Sequence, residues 1–402
     1  MNDTPRPVAR DAAGEPDWTA IRARFPAAAR FAYLDIARKA LLPADAEDAI
    51  AQWLADVREE AGGRAFSMGE IEKARADVAR VWGARPDRLA FVKNTSEGIN
   101  VVAQGLDWRE GDNLVISTEE HENNTFPWRP LAARGVELRI ARAAPDGTVP
   151  VDAYRALIDG RTRVVSVAWV TYGIGARADL AAYAELRRAR DFLLVVDAVQ
   201  GLGILADPIG DLGADVVAAG GHKAQFSLAG AGLLHVSDRA LDRLRPPYAA
   251  KYSFATLDRR VPAPALAPDA HRFEYGNPNF LGIWVQRRSA LLVEAIGRPA
   301  IEGRIRALTT RLIEGADAAG LPVATPRAWA RRAGIVSIDL GAADADRIEA
   351  ALAADGIRAA AKDGRLRAAP HIWNDEADID RFVDRLSHHL RAARSVAAEA
   401  AQ

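Results

Sequence analysis

The feature that most constrains the fold is a series of short apolar runs, each separated from the next by a helical pattern. The runs are 89–92, 113–117, 136–140, 163–170, 192–196, 215–219 and 232–236. Strands that alternate with helices are typical of an α/β sheet, mostly parallel and covered on both faces. We therefore predict such a sheet, with ligand-binding groups at the carboxyl ends of its strands.

Helical periodicity supports the same fold class. Apolar residues recur at intervals of three and four over residues 180–191 and 280–297, which predicts two helices. Pro299 interrupts the pattern. The segments predicted beyond it are a helix, a strand over 334–340, a helix from about Ala343, a short strand near Leu366 and a terminal helix from about Glu376.

This order of segments predicts two domains and a tail. We expect a mobile tail over residues 1–17, because this stretch is rich in proline, aspartate, alanine and arginine. A large domain is predicted over residues 18–297, with its first segment packing on the small domain. The smaller α+β domain is predicted over residues 298–402.

Composition limits the kind of function. Lys and Arg number 53 against 54 Asp and Glu, so the formal charge of -1 gives no long-range attraction to nucleic acid or anionic membrane. The polar start lacks a signal-peptide run, and no window reaches the roughly 18 apolar residues of a membrane span. We expect small-molecule chemistry in the cytoplasm, with neither nucleic acid nor membrane as a partner.

Lys223 is the strongest single candidate for chemistry. It follows the buried run 215–219 within Gly-Gly-His-Lys, and glycines let a ligand approach the backbone closely. A loop lysine that extends into solvent is an equally good interpretation of this motif alone.

Asp197 decides between these interpretations. It ends an almost wholly apolar run, where a carboxylate needs a cationic partner. A protonated pyridine nitrogen is such a partner, and pyridoxal 5′-phosphate (PLP) enzymes use this pairing to keep the ring an electron sink. A helix cap is the alternative, but it explains neither Gln200 nor Lys223. The combination predicts a PLP site.

Two further motifs follow predicted strands. Thr95 and Ser96 lie where a strand gives way to a helix, and hydroxyls with free backbone N–H groups can bind phosphate there. The same residues are also an ordinary helix start. His121 follows the strand 113–117, and a solvated loop histidine is the alternative for it.

Four motifs, in this order and spacing, resemble those of the class V aminotransferase family, which includes cysteine desulfurases, isopenicillin N epimerases and kynureninases. They are Asn-Thr-Ser-Glu-Gly-Ile-Asn, Glu-His, Val-Asp-Ala-Val-Gln-Gly and Gly-His-Lys. The similarity runs from Tyr33 through Arg367 to the last helix. It implies fold type I of the PLP-dependent transferases, the fold of aspartate aminotransferase.

The resemblance also implies a role for each matching residue. Lys223 corresponds to the Schiff-base lysine and proton shuttle, and Asp197 to the partner of the pyridine nitrogen. Gln200 would contact the phenolic oxygen of the cofactor. His121 would stack on its ring.

The remaining matches concern the phosphate and the substrate. Thr95, Ser96 and His222 would hold the phosphate, and Asn277 would reach the phosphate of the neighbouring subunit, which implies a homodimer with a shared active site. Arg367 corresponds to the arginine that forks onto the substrate α-carboxylate, a task suited to guanidinium geometry. The alternative for Arg367 is a surface salt bridge.

Several positions depart from the family pattern. Gly220 replaces a serine, so one phosphate donor is lost or supplied elsewhere, and Asn277 stands where many relatives have threonine. Tyr172 replaces an amide near the phenolic oxygen or the substrate. Ile36-Ala-Arg38-Lys39 replaces the small residues that the family has where the chain passes close to the substrate, and Arg38 would bind an acidic side chain there or pair with a surface carboxylate. Asn124, in the His121 motif, is a further candidate for substrate contact.

The absence of cysteine narrows the reaction. The chain has none, and the desulfurase mechanism needs a thiolate to take sulfur from the substrate, so this mechanism is excluded. What remains is chemistry through an external aldimine and a Cα carbanion of an amino acid. We predict an aminotransferase. An isopenicillin N epimerase-like epimerase and a β-eliminating lyase, for example a C–S lyase, stay open as alternatives.

Two hypotheses from other functional classes have less support in the sequence. A PLP-binding protein without catalysis is a remote alternative, because every residue needed for proton transfer is present and no basic patch accompanies the site. A nucleotide-binding protein ranks lower still, since the chain has neither the Gly-x-x-x-x-Gly-Lys-Ser/Thr motif nor the Gly-x-Gly-x-x-Gly turn.

Overall fold

The computed structural model describes the backbone of residues 6–400 and the side chains of residues 6–393. The strands are β1 (Ala32–Tyr33), β2 (Leu89–Val92), β3 (Asn113–Ser117), β4 (Glu137–Ala141), β5 (Thr162–Ala168), β6 (Leu193–Asp197), β7 (Val216–Gly220), β8 (Gly232–Val236), β9 (Val336–Asp339), β10 (Ile357–Arg358), β11 (Ala360–Lys362) and β12 (Arg365–Ala368). The helices are α1 (Trp18–Ala23), α2 (Ala44–Glu59), α3 (Met68–Trp82), α4 (Thr95–Gly105), α5 (Val151–Arg155), α6 (Leu180–Ala189), α7 (Asp238–Arg243), α8 (Phe280–Ile296), α9 (Arg298–Ala318), α10 (Ala345–Ala354) and α11 (Glu376–Ala400).

Seven strands form the large sheet, in the order β2-β8-β7-β6-β5-β3-β4. Strand β8 runs antiparallel to β2 and β7, and the other neighbours are parallel. All seven runs of the sequence become strands of this sheet. The predicted α/β class with a large, mostly parallel sheet is therefore confirmed.

Helices cover both faces of the sheet. Because the central strands are buried on both faces, their sequences are continuously apolar. Successive side chains of a strand point to opposite faces. Thus Leu194 belongs to the hydrophobic cluster on one face and Leu193 to the cluster on the other. Burial of each such side chain contributes about 1.5–3 kcal/mol.

Strand register brings the functional loops together at one edge. Ala168 at the end of β5 lies opposite Asp197 at the end of β6, which in turn lies opposite Ala218 of β7. The segment that contains His121 follows the parallel strand β3 at the same edge. The candidate site therefore lies at the carboxyl ends of these strands.

The beginning of the chain packs on its C-terminal elements. Strand β1 pairs with β10 in parallel, and β11, β12 and β9 form a three-stranded antiparallel sheet. Leu34 shares a hydrophobic cluster with Leu366 and Phe382. Gly297 separates α8 from α9, and Pro299 lies in the first turn of α9, where a proline is tolerated. The domain boundary at this glycine stays a prediction.

The segment predicted as a mobile tail makes specific contacts. Asp11 accepts backbone hydrogen bonds from Ala13 and Glu15, and the Arg10 guanidinium donates to the carbonyl of Ala295 at the end of α8. Residues 9–17 therefore form a turn that contacts the body of the protein, and the mobility expected from composition stays a prediction. Residues 1–5 lie outside the described residues. None of the described helices combines the length and apolarity that crossing a bilayer requires.

Candidate active site

Lys223 lies three residues beyond β7 and is buried, with only 9% of its surface exposed. Burial lowers the pKa of its amine to about 8, although the negative charge of Asp197 opposes this effect. The positive charge of Arg367 lowers the pKa further. The alternative of a loop lysine extending into solvent does not agree with this burial.

Asp197 ends β6 at the centre of the sheet, and 3% of its surface is exposed. Burial raises the pKa of its carboxyl to about 6, against the opposing effects of the Val199 N–H and the charge of Lys223. Its Oδ1 accepts one hydrogen bond, from Val199 N–H at 3.0 Å. A carboxylate has room for about four such bonds. The side chain therefore keeps acceptor sites for a cationic donor.

Glu120, which the sequence analysis did not single out, is a second buried carboxyl beside Asp197. It accepts hydrogen bonds from Ser117 Oγ at 3.0 Å, Asn124 Nδ2 at 2.7 Å and the Ala168 N–H at 3.1 Å. Burial raises its pKa to about 7, and the charge of Asp197 acts in the same direction. The available signal was an acidic residue just after a buried strand, the pattern that identified Asp197.

Asn124 makes its contacts within the protein, and its contact with a substrate stays a prediction. Its side chain is fully buried, donates to Glu120, and accepts from Ser166 Oγ at 2.6 Å. The indole N–H of Trp128 donates to its backbone carbonyl at 3.0 Å. With its amide engaged on both sides, Asn124 supports the sheet edge, and the geometry does not favour contact with a substrate.

His121 and Tyr172 form the aromatic part of the site. Their ring centroids lie 5.1 Å apart in an edge-to-face arrangement. His121 Nδ1 accepts from the Asn123 N–H at 3.1 Å, and its Nε2 lies 3.3 Å from Glu122. Burial lowers the pKa of the imidazole, so the ring is neutral at physiological pH. A neutral, half-buried imidazole suits stacking on a cofactor ring.

A polar cradle lies where α4 begins. Thr95, the first residue of α4, is buried, and its Oγ1 accepts from the Gly220 N–H at 3.0 Å. Ser96 Oγ lies 2.9 Å from Asn123 Oδ1. A Cβ atom at Gly220 would lie 3.1 Å from the His222 ring, so a serine there would require the ring to shift by a few tenths of an ångström. The glycine therefore matches the position of His222 in this chain.

Gln200 connects the site to the N-terminal segment. It is buried, and its Nε2 donates to the backbone carbonyl of Ala37 at 2.9 Å. Gln200 and Lys223 also line one small cavity together with Ile36. The structure therefore brings Gln200 next to Lys223, as expected for groups that share a ligand.

Arg367 lies in β12 and is buried, which contradicts the alternative of a surface salt bridge. Its Nη1 donates to the Tyr172 carbonyl at 3.0 Å, and its Nη2 lies 3.4 Å from Asp35 Oδ1. Its buried Nε has no hydrogen-bond partner among the described residues. Burial raises the pKa of Asp35, although Arg367 opposes this shift. Arg367 thus retains donors for a further carboxylate.

Two predicted residues stand apart from this cluster. Asn277 is exposed in the loop before α8, where it lines a different pocket with Lys93 and Tyr275. Its contact with a neighbouring subunit stays a prediction. Arg38 is exposed, and no carboxylate of residues 6–393 forms an ion pair with it. The alternative of a surface ion pair for Arg38 is therefore not observed.

Comparison with known proteins identifies the family. The model of the class-V aminotransferases matches residues 32–382. The chain belongs to the class-V aminotransferase family. A probable cysteine desulfurase of Pyrococcus abyssi is 27% identical over 342 residues, which are 81% of this chain and 84% of that protein.

Solved structures support the fold. The apo cysteine desulfurase from Thermococcus onnurineus NA1 has a TM-score of 0.85 at 24% identity, over 93% of this chain and 98% of that one. The cystine C–S lyase C-DES, in complex with its reaction product cysteine persulfide, has a TM-score of 0.82 at 23% identity, over 90% and 99% of the two chains. The predicted family and fold type I are confirmed.

Class-V aminotransferases are PLP-dependent enzymes, so the predicted cofactor class is confirmed. The residues of this site fit PLP. Asp197 has a buried carboxylate with free acceptor sites, which suits a protonated pyridine nitrogen. Lys223 has a buried amine, which suits a Schiff base, and polar groups surround the start of α4 beside Gly220, which suits a phosphate. The assignment of individual residues to parts of the cofactor stays a prediction.

Proposed function

We propose that this chain is an aminotransferase that acts on an α-amino acid, with Lys223 as the proton carrier. The buried amine of Lys223 carries the proposal. Its pKa of about 8 means that a substantial fraction is neutral near physiological pH. A neutral amine can accept a proton, and a pKa near the working pH is efficient for both accepting and returning it.

The other residues hold and orient the reacting groups. PLP, when bound, accepts the electron pair that the substrate Cα releases. Asp197 would keep a proton on the pyridine nitrogen, and Gln200 would donate to the phenolic oxygen. The N–H groups at the start of α4, with Thr95, Ser96 and His222, would hold the phosphate. His121 would cover one face of the ring.

Arg367 would bind the substrate α-carboxylate in this arrangement. A guanidinium binds a carboxylate through two parallel hydrogen bonds, which fixes orientation as well as position. The positive charge of Arg367 lowers the pKa of the Lys223 amine, and this proximity supports a common site for the two groups. A substrate held by its carboxylate would present the Cα hydrogen to the Lys223 amine.

Transamination fits a site with one proton carrier, because the proton can leave Cα and be returned on the same face. Epimerisation needs an acid on the opposite face. In the proposed arrangement that face belongs to His121, whose lowered pKa leaves it without an imidazolium proton to donate. With His121 as the group that covers this face, the arrangement favours aminotransferase over epimerase.

A β-eliminating lyase is the second candidate. Relatives of the chain are named cysteine desulfurases, and a similar structure is that of a C–S lyase. Elimination needs an acid for the leaving group. Burial raises the pKa of Tyr172, so this residue keeps a phenolic proton beside His121.

Product analysis without an amino acceptor distinguishes the two reactions. We expect about one equivalent of 2-oxo acid per active site from an amino acid alone, because the amino group stays on the enzyme. Adding a second 2-oxo acid should restore continuous turnover without release of ammonia. Repeated turnover that releases ammonia in the absence of an acceptor would instead establish elimination.

Arg367→Lys tests the carboxylate contact while keeping the positive charge beside Asp35. We expect the affinity for the amino acid to fall about 10–100-fold, because one charged hydrogen bond contributes about 1.5–3 kcal/mol. The measurement is a titration of the cofactor absorbance, with the corresponding amino acid amide as the comparison ligand. Equal losses for acid and amide would contradict this role of Arg367.

A further inference from the structure

We infer that Lys362 and Tyr172 form a subsite for a second anionic group of the substrate, so that acidic amino acids are the preferred class. This inference rests on the proposed function, since it uses Arg367 for the α-carboxylate. Lys362 matches none of the motifs that identify the family. It is positioned by the hairpin of β11 and β12.

Strand register places Lys362 and Arg367 on one face of the small sheet. In the antiparallel pair, Ala360 lies opposite Arg367 and Lys362 lies opposite Arg365. Directly opposed residues share a face, as do residues two apart on one strand. Lys362 and Arg367 are therefore diagonal neighbours, about 7–8 Å apart. The small side chain of Ala360 fills little of the space beside Arg367.

Both cations contact the same residue, Tyr172. Arg367 Nη1 donates to the Tyr172 carbonyl at 3.0 Å, and Lys362 Nζ lies 5.3 Å from the centroid of the Tyr172 ring. The same ring also makes the edge-to-face pair with His121, with the ring centroids 5.1 Å apart. The ring thus holds the ammonium of Lys362 at the edge of the site, beside the residue proposed to cover the cofactor.

Lys362 is available to bind an anion. Its side chain is 37% exposed, and its nearest carboxylate, Asp363, is 66% exposed and lies 3.9 Å away. An exposed pair at this distance contributes about 0–1 kcal/mol, so a substrate carboxylate can replace it readily. Glu122, a further acidic neighbour, lies 3.3 Å from Nε2 of the neutral His121 ring.

Substrate chemistry follows from the two cations. A four- or five-carbon amino dicarboxylate carries carboxylates on both sides of its Cα, which matches Lys362 and Arg367 at diagonal positions of a sheet face that also carries Arg365. Arg38, the other candidate for an acidic side chain, lies beside Asp35, whose negative charge acts on both Arg38 and Arg367. Lys362 is therefore the better-placed cation.

Ligand binding to the holoenzyme tests the subsite without turnover. Calorimetry with succinate and propionate compares a dicarboxylate with a monocarboxylate of similar size. We expect wild type to prefer succinate, and Lys362→Met to reduce the ratio of the two affinities by about 10-fold, which is the loss of about 1.4 kcal/mol. Lys73→Met is the control, because Lys73 is an exposed lysine paired with Glu70 on α3. It should leave the ratio unchanged.

Kinetics provides the second readout. The ratio of kcat/KM for aspartate or glutamate to that for alanine should fall about 10-fold in Lys362→Met. The inference is overturned if wild type does not prefer succinate, if Lys362→Met weakens both ligands equally, or if Arg38→Ala alone removes the preference. A Lys362-dependent preference for succinate in an enzyme that does not transaminate would uphold the subsite and reject the proposed reaction.

Discussion

Lys223→Ala is expected to remove the visible absorbance band of the holoenzyme and to lower turnover by at least about 10²–10⁴-fold, the usual contribution of a positioned acid–base group. The reason is that one buried amine would serve as both the covalent anchor of the cofactor and the proton carrier. Absorbance spectra of the reconstituted protein and steady-state turnover give the two readouts.

Lys39→Ala is the matched control, because Lys39 is an exposed lysine of the N-terminal segment. It should keep the band. The same spectra separate the broader alternatives: a PLP-binding protein without catalysis would show the band but no turnover, and a nucleotide-binding protein would show no band in wild type. A band of unchanged position and intensity in Lys223→Ala would refute the assignment of the lysine.

Asp197→Asn is expected to impair the enzyme and stabilise the protein without cofactor. Loss of a buried charge partner costs about 3–5 kcal/mol, which corresponds to about 10²–10⁴-fold in turnover. Asparagine has the same shape and can still accept the Val199 hydrogen bond. The substitution therefore removes the negative charge of residue 197 and keeps the turn that its hydrogen bond with Val199 stabilises.

The stability effect follows from the raised pKa of Asp197. In the unfolded chain the carboxyl titrates near about 3.9, and in the folded protein its pKa is about 6. The folded state thus binds more protons between these values, so stability falls as pH rises through about 4 to 6. Above that window the burial of the ionised carboxylate costs on the order of 3 kcal/mol.

Urea unfolding of the protein without PLP measures this effect. At pH 8 the free energy of unfolding of Asp197→Asn should exceed that of wild type by roughly 3 kcal/mol, and the difference should shrink at pH 5. With PLP added, wild type should have the higher free energy of unfolding, because only wild type has a carboxylate to bind the pyridine nitrogen. If Asp197→Asn is instead less stable than wild type at pH 8 without PLP, the prediction is wrong. The carboxylate would then stabilise the turn through its hydrogen bond from the Val199 N–H rather than being held for the cofactor.

Local sequence was enough to predict the strands and the central residues of the site. Strands β3 and β8 have the bounds of their apolar runs, because strands buried on both faces are apolar throughout. Lys223 and Asp197 follow or end such strands. In a parallel sheet the carboxyl ends share one edge, so their proximity was predictable without coordinates.

Partners distant in sequence were not predictable. Asp35 and Arg367 are 332 residues apart, and nothing local to either indicates that they form a buried pair. Asn124 illustrates the same limit, since its contact with the distant Ser166 is not indicated by the sequence around it. Lys362 could be identified as a candidate substrate contact only from the register of β11 with β12 and from its contact with Tyr172.

The sequence by itself determined the class of chemistry. The absence of cysteine excludes sulfur transfer through a thiolate, and the ordered motifs around Asp197 and Lys223 indicate the cofactor. Only the tertiary structure decided the electrostatic state of these groups. A pKa depends on burial and on charges within a few ångströms, and both arise when the sheet edge, the N-terminal segment and the hairpin of β11 and β12 meet.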